Sequence, residues 1–296
     1  MTVSNTQSMA ELKAPRSTVA IVRAFGVPAD SVWQAITEPA SVGCWFGDLT
    51  PALTPGSTAR LDFGDGDFFS IADIQVEAPH QVSYTWRFLG IGPINHITWR
   101  VVPREGELGC VLTITDIEPG RTYEEAVNLR EGWGDFAYRL EQYVHHKQYA
   151  RYDWRRDIDA SIELADQPEQ LAQTLFRSDQ QAAWLAFVDL NAAAGDTATL
   201  RDPDHEDAIE TTDLDWLSPT RVRFNLRRPT WLQATTCELE IKSYRDGSLL
   251  TVSHGGWEHI SENGDVQRME RKRFCTAWIN ALQQARELVA AQYAQA

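Results

Sequence analysis

Residues that could polarise a carbonyl group or transfer a proton are few in this sequence, and they cluster on one predicted strand. His96, Thr98 and Arg100 alternate along it, so their side chains share one face of the sheet. If that face is enclosed, an imidazole and a guanidinium there could assist a reaction at a carbonyl group. If it is the outer face, the same residues are solvated. His96 and Arg100 are therefore candidates only, the catalytic residues stay unassigned, and enzymatic activity stays an open question.

The sequence lacks the patterns that bind metal ions and nucleotides. His145 and His146 are adjacent on a predicted helix, so they point to different faces. The acidic run over 202–207 is typical of a solvated loop. No phosphate-binding glycine loop, dinucleotide fingerprint, G-x-S-x-G or H-E-x-x-H motif occurs. We therefore predict no metal site and no cofactor.

Large apolar side chains form stripes on the elements around these polar residues. On two neighbouring strands they alternate, as residues on one face of a sheet do, and on a following helix they recur at helical spacing. The stripes indicate either a core or the wall of an aromatic pocket. The candidates for binding an apolar ligand are Tyr84, Trp86, Phe88, Ile97, Trp99, Trp133, Phe136 and Leu140.

The sequence contains an internal repeat. Residues 56–61 return as residues 195–200, and Trp45 returns as Trp184 at the same spacing. Further corresponding positions are residues 82–87 with 222–227, Phe136 with Trp278, and Leu140 with Leu282. A repeat unit of this length is a domain. The sequence predicts a flexible leader over 1–16, a first domain over 17–148, a linker or helix extension over 149–156, and a second domain over 157–296.

Each copy shows the same order of predicted elements. A strand and a short helix come first, several short strands separated by Gly, Pro and Asp follow, and an amphipathic helix closes the copy. Short hairpin loops between successive strands make an antiparallel sheet. The predicted segments are strands at 18–25, 58–63, 68–77, 81–88, 95–102 and 110–117, closing helix positions 133–144, and in the second copy a strand at 158–164, a helix at 168–176, strands within 197–252 and closing helix positions 274–289. The fold class is α+β.

Composition limits the partners. The net charge is −15 and both halves are acidic, which disfavours binding to nucleic acid or to an anionic membrane. The 4 cysteines form no C-x-x-C pair and are typical of free thiols in a reducing compartment. The N-terminal residues lack the apolar stretch of a signal peptide, and no run is long enough to span a membrane. We expect a cytoplasmic protein.

The motifs of the first copy resemble those of a known family. They are Val27–Thr37, Trp45-Phe46-Gly47, Pro55-Gly56, Tyr84-Thr85-Trp86-Arg87 and Gly132-Trp133. Their order and spacing over residues 17–147 resemble the START-like superfamily called SRPBCC, and within it the homologues of the heat-shock ATPase activator domain. The second copy is assigned through the internal repeat. The tandem arrangement is similar to START-like accessory proteins of enediyne (dynemicin-type) natural-product pathways.

This resemblance implies two helix-grip domains, each a curved antiparallel sheet around a long C-terminal helix with an elongated apolar cavity between them. The function it favours is binding of an elongated hydrophobic small molecule, such as a polyketide or polyene-like intermediate, in the biosynthesis of a natural product such as an antibiotic. One alternative is a cyclase or aromatase that uses the same cavity. Another is a co-chaperone-like protein-interaction module, whose protein partner the sequence does not identify.

We expect the ligand site in the first domain, because the second copy has smaller residues at the matching places. Comparison of the two copies places Phe224, Leu226, Cys237 and Cys275 where the first has Tyr84, Trp86, Trp99 and Trp133.

Overall fold

A computed structural model describes residues 17–105, 108–176, 178–190, 198–201 and 208–293. The predicted leader over 1–16, part of the repeated segment 195–200 and the acidic run over 202–207 lie outside these ranges. The chain forms two compact units that divide between Asp153 and Trp154, and the short segments Asp65–Asp67 and Ile91–Pro93 group with the second unit.

The first unit is a seven-stranded antiparallel sheet with a long helix at its C-terminal end. Its strands are ordered β1-β7-β6-β5-β4-β3-β2, so the first strand pairs with the last. Strand β2 was not predicted. The elements are β1 (Thr18–Phe25), α1 (Ala29–Thr37), α2 (Pro39–Val42), β2 (Asp48–Thr50), β3 (Ala59–Asp62), β4 (Phe68–Glu77), β5 (Gln81–Phe88), β6 (Ile94–Pro103), β7 (Cys110–Ile117) and α3 (Tyr123–His146).

The second unit repeats this layout, which confirms the predicted tandem α+β arrangement. Its described strands form a six-stranded antiparallel sheet in the order β8-β13-β12-β11-β10-β9. The elements are β8 (Ile158–Leu164), α4 (Pro168–Leu175), α5 (Ser178–Trp184), β9 (Ala198–Arg201), β10 (Ala208–Ser218), β11 (Arg221–Arg227), β12 (Thr235–Tyr244), β13 (Gly247–Gly255), a 3-10 turn (Trp257–His259) and α6 (Gly264–Tyr293).

Local signals set the ends of α3. A capping box begins it, because the Thr122 hydroxyl accepts from the Glu125 N–H at 3.2 Å and the Glu125 carboxylate accepts from the Thr122 N–H at 2.8 Å. Lys147 ends it in the left-handed conformation, with φ of 52°. Residues 149–156 are therefore not an extension of this helix, which removes one of the two predicted alternatives for that segment.

A pair of matching bulges documents the repeat at atomic detail. Asp73 in β4 and Asp213 in β10 both lie at a register shift with positive φ, 54° and 53°. The Asp73 carboxylate accepts from the Thr85 hydroxyl at 2.8 Å, and the Asp213 carboxylate accepts from the Asn225 amide at 2.8 Å. Because Thr85 and Asn225 are matching positions of β5 and β11, the two copies share the bulge and its cross-strand bond.

Strand register corrects one predicted correspondence. Trp99 lies opposite Val82, and Leu239 lies opposite Val222 at the matching place in the second sheet. Leu239, and not Cys237, is therefore the counterpart of Trp99.

Hydrogen bonds correct the correspondence of the two long helices. Asp116 lies opposite Ile97, and His254 lies opposite Cys237, so these two residues occupy matching places on the last strands. The Trp133 indole donates to the Asp116 carboxylate at 3.0 Å, and the Trp278 indole donates to Nδ1 of His254 at 2.9 Å. The counterpart of Trp133 is therefore Trp278, and not Cys275.

This helix register also moves the predicted pairs of Phe136 with Trp278 and Leu140 with Leu282. In the new register Phe136 matches Ala281, and Leu140 matches Ala285. The sequence alone does not determine how the two long helices align. Apolar residues recur every three or four positions on a helix face, so several alignments match apolar residues with apolar residues.

Candidate functional site

The interior of the first domain is a cluster of aromatic rings in contact with one another. Trp86 stacks on Phe69 with centroids 3.9 Å apart, and on Trp133 at 5.5 Å. Trp99 meets Trp133 edge-on at 5.3 Å. Of the eight predicted ligand-binding residues, six are buried and two, Phe88 and Phe136, are half-buried. These rings contact one another as core residues do.

Polar atoms within this cluster bond to one another. The Trp99 indole donates to the Tyr84 hydroxyl at 2.8 Å, and burial raises the pKa of Tyr84 far above its ordinary value. Asp116, which is 1% exposed, accepts from Trp133 and forms an ion pair of 2.6 Å with the buried guanidinium of Arg121. Asp116 was not predicted as a functional residue, although a carboxylate at an apolar position of the alternating strand β7 was a visible signal.

His96 and Arg100 lie on the other face of the first sheet. Both are exposed, whereas Ile97 and Trp99 between them are buried. Strand alternation explains the separation, because residues two or four apart share a face that excludes their neighbours. Of the two alternatives left open by the sequence, the structure shows the outward one, so His96 and Arg100 do not meet the aromatic cluster.

The second domain contains a cavity of about 330 Å³. Three aromatic rings and two small residues of α6, Ala277 and Ala281, form much of its wall. Its described lining is Trp184, Ala186, Phe187, Ile209, Arg228, Arg273, Phe274, Thr276, Ala277, Asn280, Ala281 and Gln284. Thr276, Asn280 and Gln284 are exposed, which indicates that the cavity opens to solvent along this side of α6.

Smaller side chains in the second domain explain this cavity. Ala281 occupies the place of Phe136, whose ring lies 4.5 Å from that of Phe46 in the first domain. Ile209 occupies the place of Phe69, the stacking partner of Trp86. Because Ala281 and Ile209 both line the cavity, the second domain has open space at positions where the first has rings.

Two arginines belong to the cavity wall. Arg228 directly follows β11 and is 2% exposed, and Arg273 lies on α6. Both contact Glu270: Nε of Arg228 lies 3.5 Å from one carboxylate oxygen, and an Arg273 nitrogen lies 3.2 Å from the other. The Arg228 guanidinium also lies 5.6 Å from the centre of the Phe274 ring. The cavity wall therefore includes two guanidinium groups beside an aromatic ring.

His254 is a buried residue of the second core. Because an indole N–H only donates, the bond from Trp278 makes Nδ1 the acceptor and places the proton on Nε2, which donates to the Thr235 hydroxyl at 2.8 Å. Burial, together with the nearby Arg271 guanidinium, lowers the pKa of His254 well below its ordinary value. The neutral imidazole therefore connects the helix to the sheet.

The cysteines are free thiols. Burial raises the pKa of Cys237 well above its ordinary value and that of Cys275 to about 12, so neither is poised as a nucleophile. In the described ranges no group of three or more His, Cys, Asp and Glu side chains is arranged to hold a metal ion. No helix in the described part of the chain has the length and hydropathy needed to cross a membrane.

Known proteins place this chain in a family. Residues 26–145 match the family model of the Activator of Hsp90 ATPase homolog 1-like proteins. The crystal structure of DynU16, a protein in the dynemicin biosynthetic locus, is 31% identical in sequence, covers 93% of this chain and 100% of its own, and superposes with a TM-score of 0.81. No curated protein matches the chain significantly.

Two further structures show lower similarity. CalU16 from Micromonospora echinospora is 23% identical over 43% of this chain and 74% of its own, with a TM-score of 0.37. The di-domain ARO/CYC StfQ from the steffimycin biosynthetic pathway is 12% identical over 93% of this chain and 99% of its own, with a TM-score of 0.35. The similarity to DynU16 covers nearly the whole chain, and the family model matches the first domain of this chain. The chain therefore belongs to the START-like (SRPBCC) superfamily, as a tandem protein with an Activator of Hsp90 ATPase homolog 1-like first domain.

Proposed function

We propose that this protein binds a hydrophobic small molecule in the cavity of its second domain. The observation that carries the proposal is the cavity of about 330 Å³ beside α6, walled by Trp184, Phe187 and Phe274. Ligand pockets usually measure about 300 to 1,000 Å³ and combine apolar walls with a few polar groups. The size and lining of this cavity fit that description.

The side chains around the cavity favour binding over proton transfer. Its described polar lining consists of Arg, Thr, Asn and Gln residues. Side chains of these types can orient a ligand by hydrogen bonds but are poor general acids or bases. A binding protein is therefore a better fit than a cyclase or aromatase that shuttles protons.

The relative DynU16 suggests the context in which such a ligand would occur. That protein is encoded in the dynemicin biosynthetic locus and shares 31% identity over nearly the whole of this chain. We propose by analogy that the ligand is a polyketide or polyene-like intermediate of natural-product biosynthesis, which the protein shields or carries.

A neutral aromatic probe tests this proposal. We expect 1-naphthaleneethanol to bind saturably in a calorimetric titration of the full chain, and a duplex DNA oligonucleotide at moderate salt to show no binding because the protein is acidic. Absence of any binding by aromatic probes, or preference for the oligonucleotide, would contradict the proposal.

Filling the cavity locates the site. Ala281→Phe places a ring where the first domain has one, and we expect it to weaken probe binding by about tenfold or more, equivalent to about 1.4 kcal/mol. Ala277→Leu provides a second, milder obstruction if the larger side chain perturbs folding. Ala290→Phe is the matched control, since Ala290 is exposed on the same helix and outside the cavity lining.

A further inference from the structure

We propose that the ligand of the second-domain cavity is an amphipathic acid. Its apolar body would lie against the rings of Trp184, Phe187 and Phe274, and its carboxylate or other anionic oxygen would be bound by Arg228 and Arg273. This inference rests on the proposed function and adds the chemical class of the ligand to it.

Charge on the cavity wall is the first argument. Among the described lining residues two are cationic, Arg228 and Arg273, and none is acidic. A guanidinium presents a planar fork of N–H donors that matches the two oxygens of a carboxylate. A neutral hydrocarbon cannot accept a hydrogen bond from a guanidinium group. An acid with an aromatic body can contact both the rings and the arginines of the wall.

The position of Glu270 is the second argument. It is 7% exposed and does not belong to the described lining, but its two carboxylate oxygens contact Arg228 and Arg273 separately, at 3.5 and 3.2 Å. This shared carboxylate holds the two guanidinium groups beside each other on the cavity wall. Removing Arg228 from water is costly, and Glu270 offsets part of that cost. In such a buried setting a cation attracts an incoming anion more strongly than it does in water.

Comparison with the first domain is the third argument. The places of Arg228 and Arg273 are occupied there by Phe88 and Asn128, which are uncharged. The two arginines are thus particular to the domain that has the cavity. A requirement of the shared fold would have placed cations in both domains.

Two probes of nearly equal shape test the inference. We expect 1-naphthaleneacetic acid, ionised at neutral pH, to bind to the full chain about tenfold or more tightly than 1-naphthaleneethanol, as a charged hydrogen bond contributes. Arg273→Gln should reduce this preference, and the loss of both arginines should abolish it. The control Arg223→Gln removes a cation from the exposed face of the second sheet, where it pairs with Glu238 at 2.8 Å, and should leave the preference intact.

A second variant serves as the control for misfolding. Because Arg228→Gln alone leaves Glu270 with less compensation, the double variant Arg228→Gln with Glu270→Gln keeps the pair neutral. Equal affinity for acid and alcohol in the unaltered protein would overturn this inference and leave the proposed function standing. A preference for the acid that survives removal of both arginines would also overturn it. If neither probe binds, the proposed function fails first.

Discussion

The two domains share a backbone plan but use it differently inside. Both have the Asp bulge, in β4 and in β10, and a tryptophan of the long helix bonded to the last strand. The first domain fills the space below its helix with rings such as Trp86 and Phe136, whereas the second has a cavity there. A buried ion pair anchors the first helix, and a neutral imidazole anchors the second.

This difference shows that aromatic content is a poor guide to where a cavity lies. A ring that stacks on other rings at 4 to 6 Å uses its surface within the protein, since cores pack without large voids. The cavity lies where one copy of the fold has smaller side chains than the other, as at Ala281 and Ile209. In this protein the domain with the fewer large residues at matching places is the one with room for a ligand.

The largest expected effect distinguishes the two helix anchors. Asp116→Ala would leave the buried guanidinium of Arg121 without its closest carboxylate and Trp133 without its acceptor, so we expect the first domain to lose about 3 to 5 kcal/mol of unfolding free energy. Calorimetric unfolding of the full chain would show the first-domain transition at lower temperature. Asp73→Ala, at an exposed bulge, is the control with a smaller loss. Unchanged stability after Asp116→Ala would contradict the role of the ion pair.

The next largest effect comes from a substitution that gives the first domain the smaller side chain of the second. Phe136→Ala removes a ring from the place where the second domain has Ala281. We expect it to lower the unfolding free energy by about 3 kcal/mol and to open a cavity in the first domain. Titration with 1-naphthaleneethanol should then show a second binding site per chain. Tyr138→Ala, on an exposed position of the same helix, should leave one site. A single site in both variants would mean that volume alone does not decide where the ligand binds.

The smallest expected effect is a pH dependence specific to the second domain. The pKa of His254 is lowered in the folded protein, so below about pH 6.5 the unfolded chain binds a proton that the folded chain does not. The stability contributed by the neutral imidazole is therefore present above that pH and is lost as pH falls. Between pH 7 and 5.5 we expect a loss of about 1 kcal/mol in the unfolding free energy.

The control for this pH effect is His254→Gln, which keeps an acceptor and a donor but does not titrate. It should flatten the dependence measured by denaturant unfolding at the two pH values. An equally steep dependence in this variant would assign the effect to other groups.

Much of the fold could be predicted from the sequence, because its signals are local. The repeat, the strand and helix order, and the amphipathic face ending at Val144 follow from spacing and turn residues. Strand β2 consists only of Asp48–Thr50, which is too short to show an alternation of apolar and polar residues. The match of Phe136 to Ala281 depended on helix register, which apolar spacing leaves ambiguous by a turn.

The cavity was harder to predict. Its volume depends on the sizes of side chains that lie far apart in the sequence and meet only in the folded domain. Ile209, Arg228 and Ala281 carry no motif, and only the folded second domain brings them to one wall. The alternation that identified Trp86 and Trp99 could not tell a packed ring from a lining one. The assignment of the ligand site to these first-domain residues stays an untested prediction, in competition with the second-domain cavity.

The most direct test of this account measures the affinity of 1-naphthaleneethanol for three forms of the full chain. These are the unaltered protein, Ala281→Phe in the second domain and Trp99→Phe in the first. We predict that Ala281→Phe weakens binding by about tenfold or more and that Trp99→Phe changes it less than about twofold. The reverse result, with binding lost in Trp99→Phe and kept in Ala281→Phe, would place the site in the aromatic cluster of the first domain and contradict the account.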